Sequence, residues 1–310
     1  MGEWSKKVGE YGEGIVEKFL SIVGWSNPSK GLTISCSMSN GEHKNQNDCS
    51  VKTHGIDFLY SYMNPLVDGQ LKNVIISSKY SMLKYPNSPT QQFKWFMTDL
   101  VNTIECFDDS NIKAEILEPF SCSSIDDVGV LFWLNGDDNS NDDLISVVSS
   151  TRFDMLRNAT IYIVDNKRIC FILEVMKYIK TLSTFSYSFY YPSTGQNINP
   201  QNRANTGSIL PVEYFNSSVI PIKLENINNS KETCLFLATI DSFEKDTFMR
   251  LMGLAKDLCT NLAGQVIIAF PDYNELVDGT MVSTSKQGFQ DADFTKTVRV
   301  VNYNNPLFAL

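Results

Sequence analysis

Positive charge is in deficit along this chain: 26 Lys and Arg against 35 Asp and Glu leave a formal net charge of −9. A protein that holds nucleic acid by neutralising phosphates ordinarily shows a basic surface. To bind nucleic acid, this chain would have to cluster its basic residues or rely on a partner that supplies them. No apolar run approaches the ~20 residues needed to span a bilayer, so no membrane segment is expected. The start lacks the apolar core of a signal peptide. Lys6 stands where a myristoylation signal needs Ser or Thr. The seven cysteines, Cys36, Cys49, Cys106, Cys122, Cys170, Cys234 and Cys259, are odd in number and irregularly spaced, with no CxxC. That pattern disfavours a disulfide framework and fits reduced thiols in a cytoplasmic protein. Internal repeats, heptad arrays and a phosphate-binding glycine loop are all missing, which sets aside solenoids, long coiled coils and P-loop enzymes.

What is present fits an ordinary globular protein: 43% hydrophobic and 20% charged residues over 310 positions, enough for a sizeable core and two domains. Lys6, Lys7, Lys18, Lys30, Lys44 and Lys52 bring basic charge to the first fifty-odd residues, and Asp137, Asp138, Asp142 and Asp143 bring acidic charge later. The chain is organised around His54 to Lys79. Ile56, Phe58, Tyr60 and Tyr62 alternate with Asp57, Leu59 and Ser61, the period of a strand. Asn64-Pro65 and Asp68-Gly69 supply turn chemistry, and Val74-Ile75-Ile76 leads into Ser77-Ser78-Lys79. In a strand, Ser77 and Lys79 project from one face and Ser78 from the other. If the two strands pair, Asp57 and Lys79 share a face. Such a pair is either a buried ion pair or a reactive centre.

Around this hairpin, residues 9–25 predict a helix with Ile15, Val16, Phe19, Leu20, Ile22 and Val23 at helical spacing and Gly24 as its stop. At roughly 100° per residue, Glu13 falls about 20° from Leu20, at the edge of the apolar arc and placed to point inward. Glu10 and Glu17 read as solvated charges. Residues 26–53 read as a loop containing Cys36, His43 and Cys49, with His54 just beyond it. Their spacing lacks the close ligand pairs of structural zinc sites. The reading preferred here is an incidental thiol pair and a surface histidine, with His54 either contacting substrate or serving a turn. Tyr80 to Pro86 is a loop that either touches a nucleic-acid backbone or simply packs. Gln91 to Phe107 predicts a helix, Val128 to Leu134 a strand buried on both faces, Asp142 to Ser150 a short helix and Ala159 to Val164 a strand. Beyond lie a helix at Arg168 to Leu182, a strand at Phe185 to Tyr191, a loop at 192–207, a βαβ unit over Cys234–Ile240, Phe243–Leu262 and Gln265–Phe270, and a short strand at Arg299 to Val301.

Three segments carry a resemblance. Gly9-x-x-Gly12-Glu13-x-x-Val16-x-x-x-Leu20-x-x-x-Gly24-Trp25 resembles the first helix of the PD-(D/E)xK nuclease superfamily, the restriction-endonuclease-like fold. Gly55-Ile56-Asp57-Phe58-Leu59 resembles its "(G)xIDxx" strand, and Val74-Ile75-Ile76-Ser77-Ser78-Lys79 its "VxV(E/D)xK" strand, with Ser77 where that family carries Glu or Asp. The likeness covers roughly the first 110 residues. More narrowly, MGEWSKKVGEYGE, THGIDFLYSY and VIISSKYS resemble the nuclease subunit of a two-gene bacterial anti-phage defence system.

The resemblance implies an α/β protein with a restriction-endonuclease-like mixed sheet flanked by helices and a C-terminal α/β region. Its expected division is a nuclease domain at 1–155 and an assembly or sensing domain at 156–310. It implies catalytic residues Glu13, Asp57, Ser77 and Lys79, and a Mg2+ ion (replaceable by Mn2+) held by Asp57, Glu13 and the backbone carbonyl of Ser78. It also implies double-stranded DNA as substrate, a second protein subunit encoded by a neighbouring gene, and a homodimer within a hetero-oligomer, with no membrane. Because Ser77 removes one anionic ligand, a catalytically silent binding or assembly subunit stands beside the endonuclease reading, as does a repair or junction nuclease.

Overall fold

The computed structural model describes residues 2–38, 41, 43–45, 49–137, 143–153, 159–197, 203–259 and 264–304. Asp138, Asp142 and Leu262, and parts of the 26–53 and 192–207 loops, lie outside the described residues. The chain divides into two compact units, Met1–Cys170 with Pro211–Asn216, and Phe171–Leu210 with Ser217–Leu310.

The first unit begins with α1, Gly2–Ile22. Gly12, Val16, Phe19, Leu20 and Val23 form its buried stripe, the spacing expected of an amphipathic helix. It stops as its residues dictate. Gly24 takes φ +87°, the Trp25 N–H donates to Leu20 O at 2.8 Å and the Gly24 N–H to Ser21 O at 3.2 Å. That is a Schellman end, in which glycine accepts the left-handed conformation at little steric cost. β1 (Ser29–Ser35) follows, within the segment expected to be a loop. Its sequence, SKGLTIS, buries only Ile34 fully, so an edge strand with little apolar signal went unread there. β2 (Thr53–Met63) and β3 (Gln70–Ser81) form the hairpin. Between them Asn64 accepts from the Leu66 N–H, and Gly69 sits at φ +70°.

α2 (Thr90–Asp108) and the short α3 (Asn111–Leu117) lead to β4, Ser124–Asn135. The last eight residues of β4, Val128 to Asn135, are all buried. α4 (Leu144–Val148), β5 (Ile161–Val164) and α5 (Asn166–Thr181) follow, the last crossing from the first unit into the second. The sheet runs β1-β2-β3-β4-β5, antiparallel as far as β3 and parallel after it. α2 covers one face, where Phe93 and Phe96 meet Trp133 of β4 at 6.3 and 5.1 Å. On the other face Phe19 of α1 meets Phe132 at 5.5 Å.

Residues 211–216 return to this unit as a 3-10 helix, Val212–Asn216. Phe215 stacks on Trp25 at 4.8 Å, and the Val212 N–H donates to the Tyr62 hydroxyl at 3.0 Å. Lys72, only 3% exposed, binds Glu213 at 2.7 Å and Asp126 at 2.8 Å through its ammonium.

The second unit carries β6 (Phe185–Tyr190), β7 (Thr206–Gly207), β8 (Val219–Asn226), β9 (Asn229–Thr239), α6 (Lys245–Cys259), β10 (Gln265–Phe270), α7 (Glu275–Gln287), α8 (Ala292–Thr297) and β11 (Val298–Asn302). Its sheet order is β11-β10-β9-β8-β6-β7. β9-α6-β10 is the expected βαβ unit, its two strands parallel. Phe248, Leu251, Met252 and Ala255 of α6 pack with Leu235, Leu237 and Ile268, while Tyr178 of α5 stacks on Phe236 at 5.7 Å on the opposite face. Two mixed sheets flanked by helices make an α/β protein. Among the described residues no helix is long and apolar enough to cross a membrane.

Candidate active site

The site is framed by α1 and by a parting of β2 and β3. A Cβ at Gly12 would lie 2.9 Å from Tyr80 Cγ and closer still to Tyr80 Cβ. Glycine at this position therefore lets α1 approach β3 closely, and it sets the height at which Glu13 stands over the sheet. β2 and β3 are paired from Met63↔Leu71 to Phe58↔Ile76. Beyond that point β2 continues with β1, at Ile56↔Leu32 to Thr53↔Ser35, while β3 continues with β4, at Ser77↔Leu131 to Ser81↔Asn135. The strands fork at Asp57 and Ser77, which the register sets opposite one another.

Asp57 fills the fork. Its Oδ2 accepts the Ser78 N–H at 2.6 Å, taking a ladder donor that the departing strand no longer meets. A residue's N–H and C=O point to the same edge of a strand, so the Ser78 carbonyl faces the same gap. Residues directly opposite, and residues two apart, share a face. Ser77 and Lys79, two apart on β3 like Ile75, project on the α2 side. There the Lys79 ammonium lies 3.7 Å from Asp99 Oδ2 and 5.5 Å from the centre of the Phe96 ring.

The electrostatics crowd acids together. Burial raises the Asp57 pKa above the usual carboxylate range and Asp99 adds to the rise, opposed by the Ser78 N–H and by Lys79. Glu13 is raised by partial burial first and then by the charges of Asp57 and Glu10. The field of Asp57 thus reaches α1, and Glu13, Asp57, Lys79 and Asp99 belong to one electrostatic neighbourhood.

Residues 1–168 match the family described as GAPS4 protein PD-(D/E)XK nuclease domain. The chain belongs to this family. The match spans more than half of its 310 residues, and the family is a defence-associated one. No curated protein and no solved structure matches the chain. As a member of the GAPS4 PD-(D/E)XK nuclease family the chain carries a nuclease domain, and the first unit's mixed sheet with α1 and α2 on opposite faces is consistent with that fold.

Several expectations change in the folded GAPS4 family member. Glu13 does not turn into the apolar stripe but stays exposed on α1, because Gly12 and Val16 occupy the contact with the sheet. The ion pair of Lys79 is with Asp99 rather than with Asp57. Glu10 and Glu17 do sit in solvent, paired with Lys6 at 3.7 Å and with Lys30 respectively. His43 is no surface residue. It and His54 are 5% and 3% exposed, packed against Cys36 and Cys106, while Cys49 is exposed and stands outside the group. Asp99 and Cys106 were missed. Asp99 falls one turn after Phe96 on α2, but a single acid on a helix's exposed side gives no sequence signal. Cys106 is 70 residues from its partner Cys36.

Proposed function

We propose that the chain is a metal-dependent DNA endonuclease, the effector subunit of a bacterial anti-phage defence complex. The observation that carries the reading is Asp57 at the fork between β2 and β3, accepting the Ser78 N–H, with Lys79 one residue further along β3 and held toward α2 by Asp99; the charge of Asp57 also raises the pKa of Glu13 on α1.

The donor set fits a hard divalent cation. Asp57 and Glu13 are carboxylates whose anionic forms are both disfavoured by burial and neighbouring charge, and a cation among them reverses that cost. All the candidate ligands are oxygens, which suits Mg2+, with Mn2+ as substitute. Asp57 and the Ser78 carbonyl would hold the ion, with Glu13 reaching it through water. When bound, such an ion lowers the pKa of its water and polarises the phosphoryl oxygen. The Ser78 N–H fixes the rotamer of Asp57. Lys79, steered by Asp99 and the Phe96 ring, presents its ammonium to the scissile phosphate and offsets the charge that grows there. Ser77 supplies no anion, and Asp99 brings a carboxylate to the same face from α2.

DNA as the substrate is supported by a groove of about 320 Å³ along α2, lined by Lys44, Gln91, Lys94, Trp95, Thr98 and Asn102. It gives an acidic protein two lysines beside an aromatic side chain, Trp95, on one surface. The defence role rests on the family. In this reading a neighbouring gene supplies a second subunit, the complex contains a homodimer of this chain, and the second unit serves assembly or sensing.

The test is plasmid DNA with Mg2+, with and without the co-expressed neighbouring gene product. Nicking or linearisation is expected, reduced about 10²-fold or more in Asp57→Ala and Lys79→Ala and weakened in Asp99→Asn. Plasmid left intact under every condition would overturn the enzyme reading in favour of a silent binding subunit, the outcome that Ser77 alone would suggest.

A further inference from the structure

Four side chains outside the fork point at a single spot. Cys36 follows β1, His43 lies between β1 and β2, His54 is the second residue of β2, and Cys106 stands near the end of α2. Their donor atoms all lie within 4.8 Å of one another. Cys36 Sγ is 3.8 Å from Cys106 Sγ and 3.4 Å from His43 Nδ1. His43 Nδ1 is 3.5 Å from Cys106 Sγ and 3.2 Å from His54 Nε2.

These separations have the lengths of a tetrahedron's edges. With Zn–S near 2.3 Å and Zn–N near 2.0–2.1 Å, the edges of an S2N2 tetrahedron are about 3.8 Å (S–S), about 3.5 Å (S–N) and about 3.3 Å (N–N). Each of the four measured separations falls within about 0.2 Å of its counterpart. Hydrogen bonding alone does not explain the arrangement. One imidazole nitrogen carries one proton or one lone pair, yet His43 Nδ1 faces two sulfurs and a nitrogen. The surroundings are those of a ligand shell. His43 Nε2 lies 3.2 Å from Glu105 Oε2, the carboxylate–histidine arrangement that orients a metal-bound ring. The Ser37 N–H and hydroxyl point at Cys106 Sγ at 3.4 and 3.5 Å, which favours a thiolate.

We propose that Cys36, His43, His54 and Cys106 bind one zinc ion in a closed structural site. Four protein ligands leave no open position for substrate, and three of them are buried. The ion would tie the segment between β1 and β2, and the start of β2, to α2. Asp57 lies three residues after His54, and Asp99 seven residues before Cys106, so the clamp would set two of the three acids of the proposed active site. The proposal does not depend on the nuclease reading, because its readout is metal content.

Metal analysis of the purified full chain should find one zinc per chain, kept through dialysis against a weak chelator. A mercurial that titrates thiols should release it to a chromogenic indicator. Protein prepared with Co2+ should show thiolate-to-cobalt charge transfer and the intense d–d bands of a tetrahedral S2N2 centre. Cys106→Ser and His54→Ala should lose the metal, whereas Cys49→Ser should keep it. Should a ligand variant fail to fold, the wild-type readouts decide alone. Folded protein without zinc and without a tetrahedral cobalt spectrum, zinc retained by a folded Cys106→Ser, or a Cys36–Cys106 disulfide found by mass spectrometry would each overturn the site.

Discussion

Asp57, the residue the proposed chemistry relies on most, is costly for folding. Burial and Asp99 raise its pKa, so its charged form is destabilised in the folded chain relative to the unfolded one. Asparagine retains an oxygen to accept the Ser78 N–H while removing the desolvated charge. Asp57→Asn is therefore expected to abolish cleavage and, with chelator present at neutral pH, to raise the thermal midpoint. Differential scanning fluorimetry beside the plasmid assay reads both. A lowered midpoint would mark Asp57 as a structural anion and count against the cation site. Lys72 is the opposite case. Burial lowers its pKa, but Asp126 and Glu213 outweigh burial and leave it raised. A lysine raised on folding stabilises fully below its unfolded value of about 10.4 and loses that contribution as pH climbs through the folded value. Wild type should thus lose stability on the alkaline side more steeply than Lys72→Met. At neutral pH Lys72→Met, which leaves the partly solvated Glu213 and Asp126 without their cation, should cost about 1–3 kcal/mol. Urea unfolding at a series of pH values measures both effects, and parallel curves would deny the triad its role.

At the scale of elements, the proposed active site depends on how closely one helix lies on one strand. Gly12 is buried where α1 meets Tyr80, and a methyl group there meets the root of the Tyr80 side chain, which cannot swing away as a flexible tip would. Gly12→Ala should cost about 1–3 kcal/mol and lower cleavage further than stability explains, because lifting α1 moves Glu13 away from Asp57. Chemical denaturation together with cleavage at a temperature where the variant is fully folded separates the two effects. Equal activity at full folding would mean that the position of α1 does not matter to catalysis. The forking of β2 from β3 is the second device at this scale. It exists because each strand has another neighbour to pair with, β1 or β4, and the Asp57 side chain occupies the gap.

At the scale of the molecule, the nuclease-bearing unit is not one continuous stretch of chain. Phe215 and Glu213, more than forty residues beyond Cys170, complete its aromatic cluster and the charge triad around buried Lys72. The sequence by itself determined what short-range pattern can encode: the apolar stripe and glycine stop of α1, the alternation of β2, the unbroken apolar run of β4, and the βαβ unit of β9-α6-β10. Asp57 and Lys79 were legible for the same reason, since each interrupts an apolar strand that would otherwise continue. Tertiary structure alone decided where chemistry is shared between distant elements. Asp99 on α2 looks like any solvated helix acid until β3 lays Lys79 beside it. Cys36 and Cys106, 70 residues apart, have no spacing to read, because their proximity is made by the sheet and helix that carry them. Periodicity records which face a residue turns toward the core; what stands opposite that face is settled only when the elements pack.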